Sequence, residues 1–364
     1  MVNIYSELVQ TLAAGEKCVL ARIIRQVGSA PRRVGAKLLV KMDGSLVGTI
    51  GGGVLEHCVL RRAKDVMVSG KSAVLHIRLT GQEVAASEML CGGNVDVLIE
   101  PVFAGNAGAE HVFKELITLA AQGRCGTLVT LVANDRESSG RFLVTKEGGI
   151  VGDASGLSGA SGIDITRWSS MREFSLETLA DCEGTPTVFL EPVEADAVLL
   201  LFGAGHISTC VAPLARMVGF RVCVVDDREE FANPRRFPTA DQLLVCSVAE
   251  AFRRVVVTPA TYIAIVTRGH AYDREVLRAA LATRPAYLGM IGSRRKREMI
   301  YGSLMEEGVA VEELRCVHSP IGISIGAETP EEIAVSIVAE LIAVRSAALA
   351  GGCSSATEAL PGSP

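Results

Sequence analysis

Aromatic residues are scarce in this chain, 4% with a single tryptophan, although 49% of its 364 residues are hydrophobic. The core is therefore mostly aliphatic, and a chain of this length can bury enough of it for two or three domains. A sustained basic face is missing and the formal charge is −5, which argues against nucleic acid as the main partner. The ten cysteines form no Cys-x-x-Cys pair and no Cys/His cluster at zinc spacing, so they read as reduced intracellular thiols. There is no apolar run of membrane-spanning length, and the segment from Met1 to Leu8 lacks the regions of a signal peptide. The expectation is a cytoplasmic protein that binds neither membrane nor nucleic acid. A Gly-x-x-x-x-Gly-Lys phosphate loop is also lacking, which argues against a mechanism driven by ATP or GTP. Gly322-Ile-Ser324-Ile-Gly326 has the spacing of a hydrolase nucleophile elbow, but no histidine follows His318, so the base of a triad is missing.

What the chain does contain is the opening of a Rossmann unit. The apolar run from Ala197 to Phe202 stops at Gly203-Ala204-Gly205-His206, and the next strand-like run, from Arg221, ends on Asp226-Asp227. Gly203 suits the tight turn, and Gly205 lets a phosphate approach the backbone at a helix start. Asp226 stands where an acidic residue binds ribose hydroxyls. Ser208 replaces the third glycine of the usual fingerprint, so a doubly wound parallel sheet is expected while a bound dinucleotide stays open. Later strands are expected at Tyr262–Val266 and Tyr287–Met290, with strand character at Leu314–Val317. A final helix starts at Thr329, Pro330 and Glu332.

The first half reads as an α+β domain with a degenerate internal duplication. Arg141–Lys146 and Gly149–Asp153 echo Ala36–Lys41 and Ser45–Thr49, and Val188-Phe-Leu-Glu-Pro192 echoes Val97-Leu-Ile-Glu-Pro101. Nine positions before each proline-preceding glutamate stand Cys91-Gly92-Gly93 and Cys182-Glu183-Gly184. Only the first copy keeps the glycines, which points to function there and scaffolding in the second. The expected organisation is an α+β domain over 1–193, in copies of about 1–103 and 109–193, a Rossmann-like domain over 197–349, and a disordered tail over 350–364.

Several segments together carry a resemblance. They are Gly28-Ser-Ala-Pro-Arg-Arg33, Thr49-Ile-Gly-Gly-Gly-Val-Leu-Glu56, Cys91-Gly-Gly-Asn-Val-Asp-Val97, Gly203-Ala-Gly-His206, Thr267-Arg-Gly-His270, Tyr287-Leu-Gly-Met-Ile-Gly-Ser-Arg-Arg-Lys296, and His318-Ser-Pro-Ile-Gly322. In this order they resemble the xanthine dehydrogenase accessory factor family, XdhC/CoxI. The resemblance implies a chaperone rather than a turnover catalyst. Such a protein binds molybdenum cofactor (molybdopterin) as cargo, assists its sulfuration, and delivers it to an apo-molybdenum hydroxylase. A cysteine desulfurase would be its sulfur-supplying partner, and a homodimer is the default assembly.

A pterin that carries a phosphate and a dithiolene-bound metal calls for an anion site and a soft ligand. Gly292 and Ser293 lead into Arg294, Arg295, Lys296 and Arg297, cations that oppose a helix dipole unless an anion compensates them. A solvated basic face is the other reading, as it is for Arg32-Arg33 and Arg235-Arg236. His206, Arg268 with His270, and His318 are expected at the carboxyl edge of the sheet, where such folds bind ligands. Gly51, Gly52 and Gly53 form a second candidate anion nest, with tight packing as the alternative. Cys91, beside Gly92 and Gly93, is a candidate thiolate for sulfur handover or a molybdenum contact. The rival functions are an NAD-dependent oxidoreductase, carried by Gly203, Gly205 and Asp226, and a sulfurtransferase carried by Cys91. If Cys91 handles sulfur or metal, Cys91→Ser will leave the circular dichroism spectrum intact and depress reconstitution of an apo-hydroxylase. Cys182→Ser will not; equal activity of the two variants would remove Cys91 from the chemistry.

Overall fold

The computed structural model describes residues 4–78, 93–132, 140–157, 164–179 and 187–349, and the chain divides into two compact units at Ala195/Asp196. In the N-terminal unit, α1 (Ile4–Ala13) precedes an antiparallel sheet of β1 (Cys18–Val27), β2 (Lys37–Lys41), β3 (Leu46–Gly48), β4 (Ala73–Arg78) and β5 (Asn94–Val102). The helix α2 (Gly53–Ser69) lies between β3 and β4 and buries Leu55, Val59, Ala63 and Val66, a stripe at helical period. Strand order is β3-β2-β1-β5-β4.

A second sheet repeats that order. After α3 (Ala107–Ala121) come β6 (Gly126–Val132), β7 (Arg141–Thr145), β8 (Ile150–Gly152), β9 (Ser175–Thr178) and β10 (Thr187–Val193), arranged β8-β7-β6-β10-β9. Register makes the correspondence residue by residue. Leu20 pairs with Glu100 and Arg22 with Lys37 in the first sheet, as Leu128 pairs with Glu191 and Thr130 with Arg141 in the second. The two glutamates before proline are thus equivalent, and both are buried.

These equivalent residues meet in one ionic knot. Glu100 binds Arg141 of the other copy at 3.1 Å, and Glu191 binds Lys37 of the other copy at 2.9 Å. Arg22, 1% exposed, contacts both glutamates and donates to Thr130 Oγ1 at 3.0 Å, while Tyr5 donates to Glu191 at 2.6 Å. Thr130 occupies Arg22's equivalent position, so the two sheets share one central cation and a small side chain that accommodates it. Burial opposes the charge of Glu191, but Lys37 and Arg22 overcome it and hold the carboxyl below its ordinary 4.5. Around the knot, Ile24, Leu98 and Phe189 close the space between sheets with Val132, Val74 and Leu176.

The C-terminal unit is a five-stranded parallel sheet: β11 (Val198–Phe202), β12 (Arg221–Asp226), β13 (Gln242–Val245), β14 (Thr261–Ile265) and β15 (Tyr287–Met290), in order β13-β12-β11-β14-β15. Alternation along β11 serves both faces. Leu199 and Leu201 join one core with α4 (His206–Met217) and α9 (Pro330–Leu349), whereas Leu200 and Phe202 join another with α5 (Val248–Arg254), α6 (His270–Leu281) and α7 (Arg294–Glu306). This is a Rossmann architecture behind an α+β region. The helix after β11 lies on one face and that after the neighbouring β14 on the other, so their carboxyl ends bound a crevice at a topological switch point.

One local expectation fails. Leu314–Val317 is no strand: Val311–Arg315 forms the short helix α8, with Leu314 buried, and only His318 bridges to Gly289. Thr329 and Glu332 cap α9 reciprocally, Glu332 N donating to Thr329 Oγ1 and Thr329 N to Glu332 Oε2.

Removing charge from the knot strands two buried guanidiniums, and breaking such a pair costs about 3–5 kcal/mol. Glu100→Gln should lower the unfolding free energy by that amount, read from buried Trp168 fluorescence in a urea titration. Because the pKa of Glu191 is depressed on folding, its contribution is present above its ordinary 4.5 and fades as pH falls below it. The Trp168 transition should therefore weaken between about pH 5 and 3.

Candidate functional site

The turn after β11 is built by a contact that only glycine allows. Gly203 has φ +98°, and a Cβ there would lie 2.6 Å from Val266 O and 2.8 Å from Thr267 Cα. The turns after β11 and β14 therefore touch. Gly205, the N-cap of α4, differs: its φ is −77° and an added Cβ would meet no atom within 4 Å. Packing does not explain that glycine, and its open side faces the start of α4. Ser208 is fully buried and its hydroxyl donates to Gly203 O, so the residue that departs from the dinucleotide fingerprint braces the turn. His206 and His270 open α4 and α6, both exposed and with imidazoles unpaired among the described residues.

Asp226 is buried, and its carboxylate is spent. Oδ2 accepts from Ala204 N at 2.8 Å and Arg228 at 3.1 Å; Oδ1 accepts from Arg228 N at 3.1 Å and Arg228 Nε at 2.9 Å. Burial raises its pKa, but the Arg228 bonds and the Ala204 amide prevail and hold it low. Four donors fill the four lone-pair directions, leaving none for a ribose hydroxyl. The neighbouring Asp227 is 42% exposed and pairs with Arg268 at 3.4 Å. Arg236 donates to Ala204 O at 3.1 Å, and its guanidinium and that of Arg228 lie over the Phe231 ring. Arg236 is thus part of the turn rather than a merely solvated arginine. Tyr272 has a buried hydroxyl that burial, Asp227 and Asp226 push up to about 12, keeping it a neutral donor. Arg228, Arg236 and Tyr272 carried no motif by which sequence reasoning could assign them to the crevice, and Asp227 was flagged only as the neighbour of Asp226 at the strand tip.

The basic start of α7 divides in two. Ser293 caps the helix by accepting from Lys296 N at 3.3 Å. Lys296 pairs with Asp273, a fully buried acid in the first turn of α6 that also accepts from Thr267 Oγ1. Arg297 donates to Ser319 O at 2.8 Å. Lys296 and Arg297 are therefore committed within the fold, whereas Arg294 and Arg295 are exposed and unpaired among the described residues. Gly292 has φ +158°, and an added Cβ would press on Lys296 Cδ at 2.9 Å, so that glycine serves the lysine's path. A shallow depression of about 530 Å³ runs from Arg268 and Gly269 along Ala271, Tyr272, Arg274 and Arg278 of α6.

His318 does not join the other two histidines. Its N–H donates to Leu288 O and its C=O accepts from Met290 N, each at 2.9 Å, which seats it beside β15 with β14 and β15 between it and β11. Its Nδ1 lies 2.9 Å from Glu340 on α9, and Glu340 also accepts from Tyr287 Oη and from Gly322 N. The imidazole is a tie between β15 and α9.

In the N-terminal unit the first-copy motifs converge without forming an open nest. Glu56 Oε1 accepts from Ile50 N and Gly52 N, each at 3.1 Å, and from Thr49 Oγ1. The amides of Ile50 and Gly52 thus already hold an anion from their own helix, and that of Gly51 donates to Thr49 Oγ1. A Cβ on Gly51 would strike Pro31 at 2.7 Å, and one on Gly93 would strike Ser29 O at 2.5 Å, so close packing explains both. Cys91 and Gly92 lie outside the described residues, as do Cys182 and the tail. Among the described residues no group of His, Cys, Asp and Glu could hold a metal ion, and no helix is long and apolar enough to cross a membrane.

Two family profiles match: "XdhC Rossmann domain" over residues 199–341 and "XdhC and CoxI family" over residues 11–78. The chain belongs to the XdhC and CoxI family. Among its relatives, a probable xanthine dehydrogenase subunit of Bacillus subtilis is 29% identical over 95% of this chain and 98% of that protein. The molybdenum cofactor insertion chaperone PaoD of Escherichia coli is 23% identical over 93% and 86%. The uncharacterized protein YqeB of Escherichia coli is 27% identical over 96% of this chain, which spans only 48% of that protein's length. A crystal structure described as a xanthine dehydrogenase from Bacillus halodurans matches with a TM-score of 0.74 at 25% identity, over 94% of this chain and 96% of that one.

The two glycines of the XdhC turn make a paired test. Gly203→Ala should cost at least about 1–3 kcal/mol, from positive φ and the clash with Val266 O. Gly205→Ala should change stability by less than about 1 kcal/mol yet weaken binding of an anion at α4. Thermal melts and phosphate titration of both variants check this.

Proposed function

We propose that this chain is an accessory protein for a molybdenum hydroxylase of the xanthine dehydrogenase type. It carries molybdenum cofactor as cargo, supports its sulfuration, and delivers it to the apo-enzyme. Family membership and likeness to an insertion chaperone support the accessory role. The observation that carries the reading is the saturation of Asp226. A nicotinamide dinucleotide needs an acceptor for its ribose at that position, whereas a cofactor held by its phosphate needs donors. Donors are what the carboxyl edge of the sheet leaves unused: the start of α4 at Gly205, and Arg294 with Arg295 at the start of α7.

In this reading Gly205 admits the phosphate to the amides of α4, and His206 and His270 supply ring N–H donors beside it. Arg294 and Arg295 neutralise the remaining charge. Lys296 acts indirectly, holding Asp273 and thereby the first turn of α6. Cys91 would supply the thiolate, the cysteine desulfurase the sulfur, and a homodimer the working assembly.

Protein isolated from a host that makes the cofactor should contain molybdenum by elemental analysis and give pterin fluorescence after oxidation. Charge-assisted bonds to phosphate are worth about 1.5–3 kcal/mol each. Arg294→Ala with Arg295→Ala should therefore reduce cofactor retention at least about tenfold. Arg253→Ala, an exposed arginine on α5, should cost little. Sub-micromolar NAD binding with substrate-dependent reduction, seen by calorimetry and absorbance, would replace this reading with an oxidoreductase.

A further inference from the structure

Asp227, rather than Asp226, is the acid that faces the crevice, and strand order gives it a particular reach. β12 and β14 flank β11, so their tips stand two strand spacings apart, about 10 Å. Arg268, in the turn after β14, spans that gap to meet Asp227 Oδ2 at 3.4 Å. The ion pair therefore passes across the carboxyl end of β11, where Gly203 and Gly205 shape the start of α4. Its two members are 58% and 42% exposed. Asp227 Oδ1 lies 3.7 Å from Arg228 Nε, which is already committed to Asp226. Asp227 is therefore the one ion-pair partner of Arg268 among the described residues.

We propose that Asp227 and Arg268 form an exchangeable strap over the crevice, and that Asp227 sets which anions open it. This rests on reading the crevice as an anion site. With no anion bound, Asp227 holds Arg268 across the turn. A bound anion takes the guanidinium and frees Asp227 to solvent. A singly charged carboxylate offers Arg268 no more than Asp227 does, and Asp227 has the advantage of being tethered. A phosphate dianion brings more charge and can meet the guanidinium through two oxygens, where Asp227 meets it through one at 3.4 Å, and it also reaches the amides of α4. The strap therefore favours phosphate esters and comparable dianionic oxyanions over carboxylates.

The test is calorimetric titration of the full chain with inorganic phosphate at pH 8 and constant ionic strength. It compares the wild type with Asp227→Asn, Arg268→Ala and the double variant. An exposed ion pair of this kind is worth a factor of about two to five, so Asp227→Asn should tighten phosphate binding by that factor. Arg268→Ala should weaken it about tenfold or more, and Asp227→Asn should have no effect in the Arg268→Ala background. Tightening that persists without Arg268 would show Asp227 acting only as a diffuse negative charge and would overturn the strap. Weaker binding in Asp227→Asn would make Asp227 a direct ligand contact, again overturning it. In both cases a loss in Arg268→Ala leaves the crevice standing as an anion site. Phosphate binding that is absent from the wild type, or indifferent to Arg268→Ala, would remove the anion site and the strap together.

Discussion

The C-terminal unit depends on one contact, the backbone of Gly203 lying against Val266 O and Thr267 Cα. Because no side chain intervenes, the turns after two neighbouring strands share a wall. The two helices that follow leave on opposite faces of the sheet, and a crevice opens between their first residues. Ser208 reinforces the same turn from beneath, and Arg236 and Asp226 hold it from the β12 side through Ala204. His206, His270 and Arg268 are placed by this arrangement rather than by contacts of their own side chains with the core.

A second theme is that the chain neutralises most of its own candidate anion sites. Glu56 takes the amides of Ile50 and Gly52, Asp273 takes Lys296, Asp226 takes Arg228, and Glu340 takes His318 and the Gly322 amide. In each case an internal carboxylate satisfies donors that would otherwise be costly to bury. Among the candidates at the carboxyl edge of the Rossmann sheet, His206, His270, Arg294 and Arg295 have no such partner among the described residues. That contrast separates groups that stabilise the fold from groups available to a ligand.

The N-terminal unit shows how two sheets of the same strand order become one body. Each copy contributes a buried glutamate that reaches a basic residue of the other; Glu100 also keeps Arg22 of its own copy, whereas Glu191 is met by Lys37, Arg22 and Tyr5 of the other. Arg22 then breaks the symmetry, since Thr130 stands at its equivalent position and accepts its hydrogen bond. The cost of desolvating these groups is met by multiple partners for each carboxylate. The shared knot therefore requires both copies, including the one that has lost its glycines.

Much of this was legible in the chain itself. Apolar alternation, glycine punctuation and the echo of Glu100-Pro101 in Glu191-Pro192 are local patterns, and they specify the parallel sheet, the α+β region and the repeated strand order of its two sheets. Family membership was equally legible, because its motifs are contiguous residues in order. The partners of polar side chains were not. Leu314–Val317 reads as a strand by composition, yet Leu314 and Arg315 end the helix Val311–Arg315, with Leu314 in the core, and the bridge to Gly289 is made by the next residue, His318. The sequence groups His318 with His206 and His270; its register beside β15 turns it toward Glu340 instead. Lys296 and Arg294 are indistinguishable in a run of basic residues; a buried Asp273 one helix away separates them. Sequence by itself determined the elements, because backbone preference and hydrophobic period act over a few residues. Only the tertiary structure decided which donors are spent and which are free, because that depends on carboxylates brought from distant strands and helices.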